Sequence, residues 1–150
     1  MERVIVGVDG SEQARDALAW AVAEARLRGA VLRVVNAWRP PEAYLLDTPA
    51  AASPQLEEAL AGAGSRILDD ALGHVLGDDA AGVEIERRVV RERPVEALLE
   101  AASDADLLVV GSRGHGGFRG LLLGSVSQQC AQHAPCPVVI VHRPEDRKAA

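Results

Sequence analysis

The residues best equipped for chemistry lie between Asp106 and Gln132, where the chain reads Asp-Leu-Leu-Val-Val-Gly-Ser-Arg-Gly-His-Gly-Gly-Phe-Arg-Gly-Leu-Leu-Leu-Gly-Ser-Val-Ser-Gln-Gln-Cys-Ala-Gln. Glycines at 111, 114, 116, 117, 120 and 124 surround Arg113, His115 and Arg119, and no acidic residue falls among them. Such a stretch suits anion binding. Backbone N–H groups stay unpaired at the end of a strand and at the start of a helix, and glycines without a Cβ let a ligand reach them. The anion most often found in such a place is a phosphate, and two arginines in one loop favour a polyanion. In a chain of formal net charge −6 this positive charge is local.

Two elements must hold that loop. Leu107 to Val110 is apolar without alternation, as expected of a strand covered on both faces in a parallel sheet. Ser125 has the chemistry of an N-cap and opens a helix with Val126, Cys130 and His133 on one face. The loop is therefore strand, glycine turn, helix start.

The rest of the chain supplies the sheet. Arg3 to Val8 reads as a first strand ending in Asp9-Gly10-Ser11. Ser11 caps a helix with Ala14, Ala17, Leu18, Ala21, Val22 and Ala25 on one side, closed by Gly29. Val31 to Ala37 is a second strand, completing a βαβ unit with a right-handed crossover. Trp38 to Ser53 is broken by Pro40, Pro41 and Pro49 and is read as a disordered loop, the alternative being a functional flap in which Trp38, Tyr44 and Leu45 fold over a bound base. Pro54, after Ser53 as cap, opens a helix with Leu56, Leu60, Ala63, Ile67 and Ala71 inward, weakened by Gly62, Gly64 and Gly73. Val83 to Val90 alternates like an edge strand, Pro94 starts a short helix carrying Val95, Leu98, Leu99 and Ala102, and Val138 to His142 is a fifth strand.

A length of 150 residues predicts one domain spanning the chain, with about 68–70% of the unfolded surface removed on folding. Hydrophobic residues make up 48% and aromatics 3%, so the core is aliphatic. The acidic balance disfavours a nucleic-acid or membrane-surface binder. The opening residues lack the apolar length of a signal peptide and no run approaches a membrane span, which predicts cytoplasmic residence. Cys130 and Cys136 are read as buried free thiols, since they have neither zinc-ligand spacing nor a disulfide framework.

Gly111, two residues, Gly114, nine residues, then Gly124-Ser125 resembles the nucleotide-binding signature of the universal stress protein family, G-x2-G-x9-G-(S/T). The resemblance extends to Val4-Ile5-Val6-Gly7-Val8-Asp9-Gly10-Ser11 at one end and to Ala134-Pro135-Cys136-Pro137-Val138-Val139-Ile140-Val141 at the other. It implies a three-layer α/β/α fold with a doubly wound, five-stranded parallel sheet in the order 3-2-1-4-5, Rossmann-like and of the adenine nucleotide alpha hydrolase-like kind. Strands 1 and 4 are then neighbours where the winding reverses, and ligands of open α/β sheets bind at that place.

The ligand implied is ATP. Gly7, Val8 and Ala37 match the positions that contact the base, and Asp9 is read as an acceptor for ribose hydroxyls. Val110, Gly111, Arg113 and Gly114, with Gly124, Ser125, Val126 and Ser127, match the phosphate and ribose side. Mg²⁺ would ride on the phosphates, because the loop offers no carboxylate cage. A homodimer through Val138 to Val141 is implied as well, together with a protein partner that the sequence does not name.

Other phosphate sites are excluded by their missing parts. No Gly-Lys-Ser/Thr tripeptide occurs for a Walker loop, Arg119 stands where a dinucleotide fingerprint needs its last glycine, and no Gly-x-Ser-x-Gly elbow is present. Only His115 near the proposed phosphates titrates near neutral pH, so efficient phosphoryl transfer lacks its parts, and no catalytic or metal-ligating residue is assigned. The reading is an ATP-binding regulatory protein of the stress response. A slow, autophosphorylating ATPase or phosphotransferase using the same pocket and an interaction module with an empty pocket are the alternatives.

Overall fold

The computed structural model describes residues 1–40, 53–114 and 123–143. Five strands form one parallel sheet: β1 (Arg3–Gly7), β2 (Val31–Trp38), β3 (Glu84–Arg91), β4 (Leu107–Gly111) and β5 (Val138–Val141), in the order β3-β2-β1-β4-β5. That is the expected winding, with β1 paired to β4 from Val4↔Leu107 to Val6↔Val109. Helices α1 (Glu12–Arg28) and α2 (Pro54–Leu76) cover one face, and α3 (Pro94–Ala101) and α4 (Ser125–His133) the other. A 3-10 turn, Ala102–Asp104, extends α3. No helix among the described residues is long and apolar enough to cross a membrane.

α1 forms as its spacing predicts. Ser11 Oγ accepts the Ala14 N–H at 3.1 Å, and Gly29 closes the helix in the left-handed region at φ 62°. Its buried residues are Ala14, Ala17, Leu18, Ala21, Val22 and Ala25, a face small enough to lie close on Val4, Val6, Leu32, Val34 and Val109. The second core, under α3 and α4, is built from Ile5, Val35, Leu98, Leu108, Val110 and Cys130. Each fully buried aliphatic side chain contributes about 1.5–3 kcal/mol. All four residues from Leu107 to Val110 are buried, as a strand covered on both sides must be. Cys130 and Cys136 are free thiols; burial pushes Cys130 up to about 11, which keeps it a protonated, unreactive core residue.

Several boundaries move. β1 stops at Gly7 instead of Val8, β3 is displaced by one residue, and β5 ends before His142. Trp38 belongs to β2, where the Arg91 guanidinium lies 5.9 Å from its ring centroid. Tyr44 and Leu45 lie outside the described residues. α2 begins at Pro54 with Ser53 Oγ accepting the Leu56 N–H at 3.3 Å, but it buries Gly64, Leu68, Ala71 and Leu72, while Leu56, Leu60, Ala63 and Ile67 are only half-covered. Gly64 is therefore a contact position, not merely a weak one. A Cβ there would stand 2.6 Å from Asn36 Oδ1 and 2.8 Å from Val89 Cγ1.

The two sheet edges differ. β3 exposes Glu84, Arg87, Arg88 and Arg91, with Arg87 paired to Asp69 and Arg91 to Glu57 on α2. β5 carries Val138, Val139, Ile140 and Val141, all half-buried. Behind β3 a charge network crosses three strands: Arg33 Nε donates to Glu86 Oε2 at 2.8 Å, Arg33 Nη1 to Asp104 Oδ1 at 3.2 Å, and Arg3 pairs with the same Asp104. The Arg33 hydrogen bond holds the Glu86 carboxyl below the usual glutamate range. Because the native value is depressed, the stabilisation is complete above the unfolded value of about 4.3 and is lost as pH falls through the native value. The stability gap between the native protein and Glu86→Gln, followed by urea unfolding, should narrow as pH drops through that window. A gap constant with pH would show that the carboxylate adds nothing to the network.

Candidate functional site

At the end of β1 the chain turns tightly. Val8 N–H still bonds to Val35 O at 2.8 Å, and the next residue, Asp9, folds back so that its Oδ1 accepts the Ser11 N–H at 2.9 Å and the Ser11 hydroxyl at 2.6 Å. Gly10, at φ 89°, supplies the left-handed backbone the turn requires. One oxygen of Asp9 is thus spent on the turn and, through Ser11, on the cap of α1. The other points across the sheet: a Cβ on Gly114 would lie 2.6 Å from Asp9 Oδ2. The ends of β1 and β4, about a hundred residues apart in sequence, meet there.

Beyond β4 the chain is tied by Ser112, which is fully buried. Its N–H donates to Val141 O at 3.0 Å, and its carbonyl accepts from Gly124 N–H at 2.6 Å and from Ser127 Oγ at 2.8 Å. This corrects the reading of the α4 start. The N-cap is Gly124, extended at φ −73° and ψ 170°, and Ser125 is the first helical residue, exposed, its hydroxyl accepting from Gln129 Nε2 at 3.0 Å. The Gly124–Ser112 bond fixes the extended residue, so the helix begins after it. No side chain caps α4, which leaves the amides of its first turn to an outside acceptor. Ser127 is buried, and His133 is exposed instead of sharing the apolar face of Val126 and Cys130.

The glycines of the motif also serve the protein's own close approaches. A Cβ on Gly111 would come 3.0 Å from the Gln13 carbonyl in the first turn of α1, and one on Gly124 would come 3.3 Å from Arg113 Cα. Only at Gly114 does the neighbour belong to a side chain that could face a ligand.

These elements enclose a cavity of about 410 Å³, within the range of small-molecule sites, about 300–1,000 Å³. All twelve residues named from the sequence line it, from Gly7, Val8, Asp9 and Ala37 on one side to Val110, Gly111, Arg113 and Gly114 and then Gly124 to Ser127 on the other. Val8, Val35, Ala37, Pro94 and Leu98 make much of the lining apolar, and among the described residues Asp9 and Arg113 are its charged members. Ser11, Ala14, Val35, Pro94 and Leu98 complete the wall without having been assigned to it. Val35 was within reach, since it shares a strand face with Ala37; Pro94 and Leu98 were not, because only tertiary packing brings α3 over Gly7, whose added Cβ would lie 3.0 Å from Leu98 Cδ1. His115 and Arg119 lie outside the described residues. No group of three His, Cys, Asp or Glu that could hold a metal occurs among the described residues.

The family model described as "Universal stress protein family" matches residues 1–142. A universal stress protein of Thermus aquaticus is 40% identical over 143 residues, covering 92% of this chain and 96% of that protein. A universal stress protein of Mycobacterium tuberculosis is 38% identical over 141 residues, 93% of this chain and 47% of its own, so the chain spans about half the length of the mycobacterial relatives it matches. A solved universal stress protein in complex with cAMP matches with a TM-score of 0.66 at 33% identity, over 94% of this chain and 96% of that one.

Proposed function

Because the chain belongs to the universal stress protein family, we propose that it is an ATP-binding regulatory protein of the stress response, in which nucleotide occupancy changes a surface read by another protein. The observation that carries this reading is the approach of Asp9 Oδ2 to Gly114 across the junction of β1 and β4, beside an α4 start that no side chain caps. The apolar part of the lining, which includes Val8, Ala37 and Leu98, suits a base. Asp9 Oδ2 is placed to accept from ribose hydroxyls. Arg113, the Gly114 backbone and the amides of Ser125 to Ser127 suit the phosphates. With Asp9 as the one carboxylate on the wall among the described residues, Mg²⁺ would be held by the phosphates and water. The solved relative bound to cAMP supports an adenine nucleotide, and the cationic loop supports a polyphosphate.

Calorimetric titration with ATP, ADP, AMP and cAMP, together with mass identification of molecules released by heat from fresh protein, tests the assignment. ATP should bind most tightly. A preference for a monophosphate would remove the triphosphate part, and binding of none would remove the reading.

The proposal extends to a homodimer through β5, whose four residues are apolar and whose outer edge has no partner strand among the described residues. Light scattering at micromolar protein should return twice the chain mass; the mass of one chain would overturn the pairing.

A further inference from the structure

Asn36 sits in β2, only 3% exposed, and uses half of its side-chain amide. Nδ2 donates to Val8 O at 2.9 Å, while Oδ1 has no hydrogen-bond partner among the described residues. Its orientation is not free, because a carbonyl can be met only by the NH₂ end. A buried amide oxygen left unpaired is costly, and an apolar side chain in β2 would avoid that cost. What Asn36 gains for the fold lies at Val8.

The β1–β2 ladder ends at Gly7↔Val35, and Val8 is the first residue past it. Its N–H is held by Val35 O and its C=O by Asn36, so a side chain continues the ladder by one residue where the backbone no longer can. The peptide fixed in this way is the one that joins Val8 to Asp9. On the far side, α2 presents Gly64 to the Asn36 oxygen, where any Cβ would intrude at 2.6 Å.

We propose that Asn36 is a positioning residue for nucleotide binding: through the Val8 carbonyl it orients the Asp9 carboxylate toward the ribose hydroxyls, and Gly64 preserves the space it occupies. This rests on the nucleotide reading of the cavity. Neither Asn36 nor Gly64 lines that cavity, so their effect on the nucleotide is indirect, and the Asn36–Val8 hydrogen bond is the link to Asp9.

The test is a ratio of affinities, ATP against 2′,3′-dideoxy-ATP, measured by calorimetry for the native protein, Asn36→Leu and Gly64→Ala, each with its melting temperature. If Asp9 bonds the hydroxyls, dideoxy-ATP should bind the native protein about five- to 150-fold more weakly than ATP. In both variants that ratio should collapse to within about threefold of unity, since a misplaced acceptor no longer distinguishes the two ligands. An unchanged ratio, whatever happens to the melting temperature, would reduce Asn36 to a structural role and overturn the inference. If Asn36→Leu does not fold, Gly64→Ala decides, because it keeps the asparagine while its methyl crowds the Asn36 oxygen and Val89 Cγ1. Absence of nucleotide binding by the native protein would fell the underlying reading and this inference together, a result readily told apart from bound nucleotide with an unaltered ratio.

Discussion

Replacing Gly114 by alanine should weaken ATP binding about 100-fold, or about 2.7 kcal/mol. The added methyl would fall 2.6 Å from Asp9 Oδ2, closer than any stable contact. The carboxylate is short and its other oxygen is committed to Ser11, so it cannot yield without breaking the turn that caps α1. The methyl would also cover the Gly114 backbone on the phosphate side. Losing one or two charge-assisted hydrogen bonds at about 1.5–3 kcal/mol each accounts for the size of the effect. Gly114 is exposed, so little packing is at stake. Native affinity in this variant, measured by calorimetry, would place the ligand elsewhere.

Asp9→Ala should cost about five- to 150-fold in ATP affinity, corresponding to about 1–3 kcal/mol. Its two oxygens have separate duties, and a second variant separates them. Asp9→Asn keeps an oxygen acceptor for the Ser11 N–H, so it should retain most of the turn that alanine loses. A hydrogen bond of that kind contributes about 1 kcal/mol of stability. Against dideoxy-ATP the alanine variant should lose much less than against ATP. Equal losses for both nucleotides would mean that Asp9 acts through the turn alone and never touches the ribose.

Much of this was legible in the chain. The alanine face of α1, the doubly covered β4 and the Ser11 and Ser53 caps follow from local periodicity and capping chemistry, which depend on neighbours in sequence. The strand order came from the resemblance, and it matches the sheet. The misreadings share a different cause. Ser125 is a better capping residue than Gly124 by type, yet the Ser112 carbonyl, twelve residues earlier, pins Gly124 in the capping conformation and moves the helix start. Gly64 looks like a helix defect until Asn36 and Val89 are placed against it. Asn36 itself carries no motif, and its role exists only because β1 ends one residue before Val8. A residue set by what lies across a fold leaves no periodic signal of its own.

The unequal margins of the sheet bear on how far any self-association can go. On one flank, arginines and glutamates discourage a newcomer strand, since docking there would strip ion pairs and strand their partners. The other flank is four aliphatic residues long, with no such guard on the strand itself among the described residues. A sheet with a single adhesive rim can be doubled by a twofold axis, and then nothing is left to adhere. The dimer proposed through β5 should therefore stop at a closed pair instead of growing into a fibre.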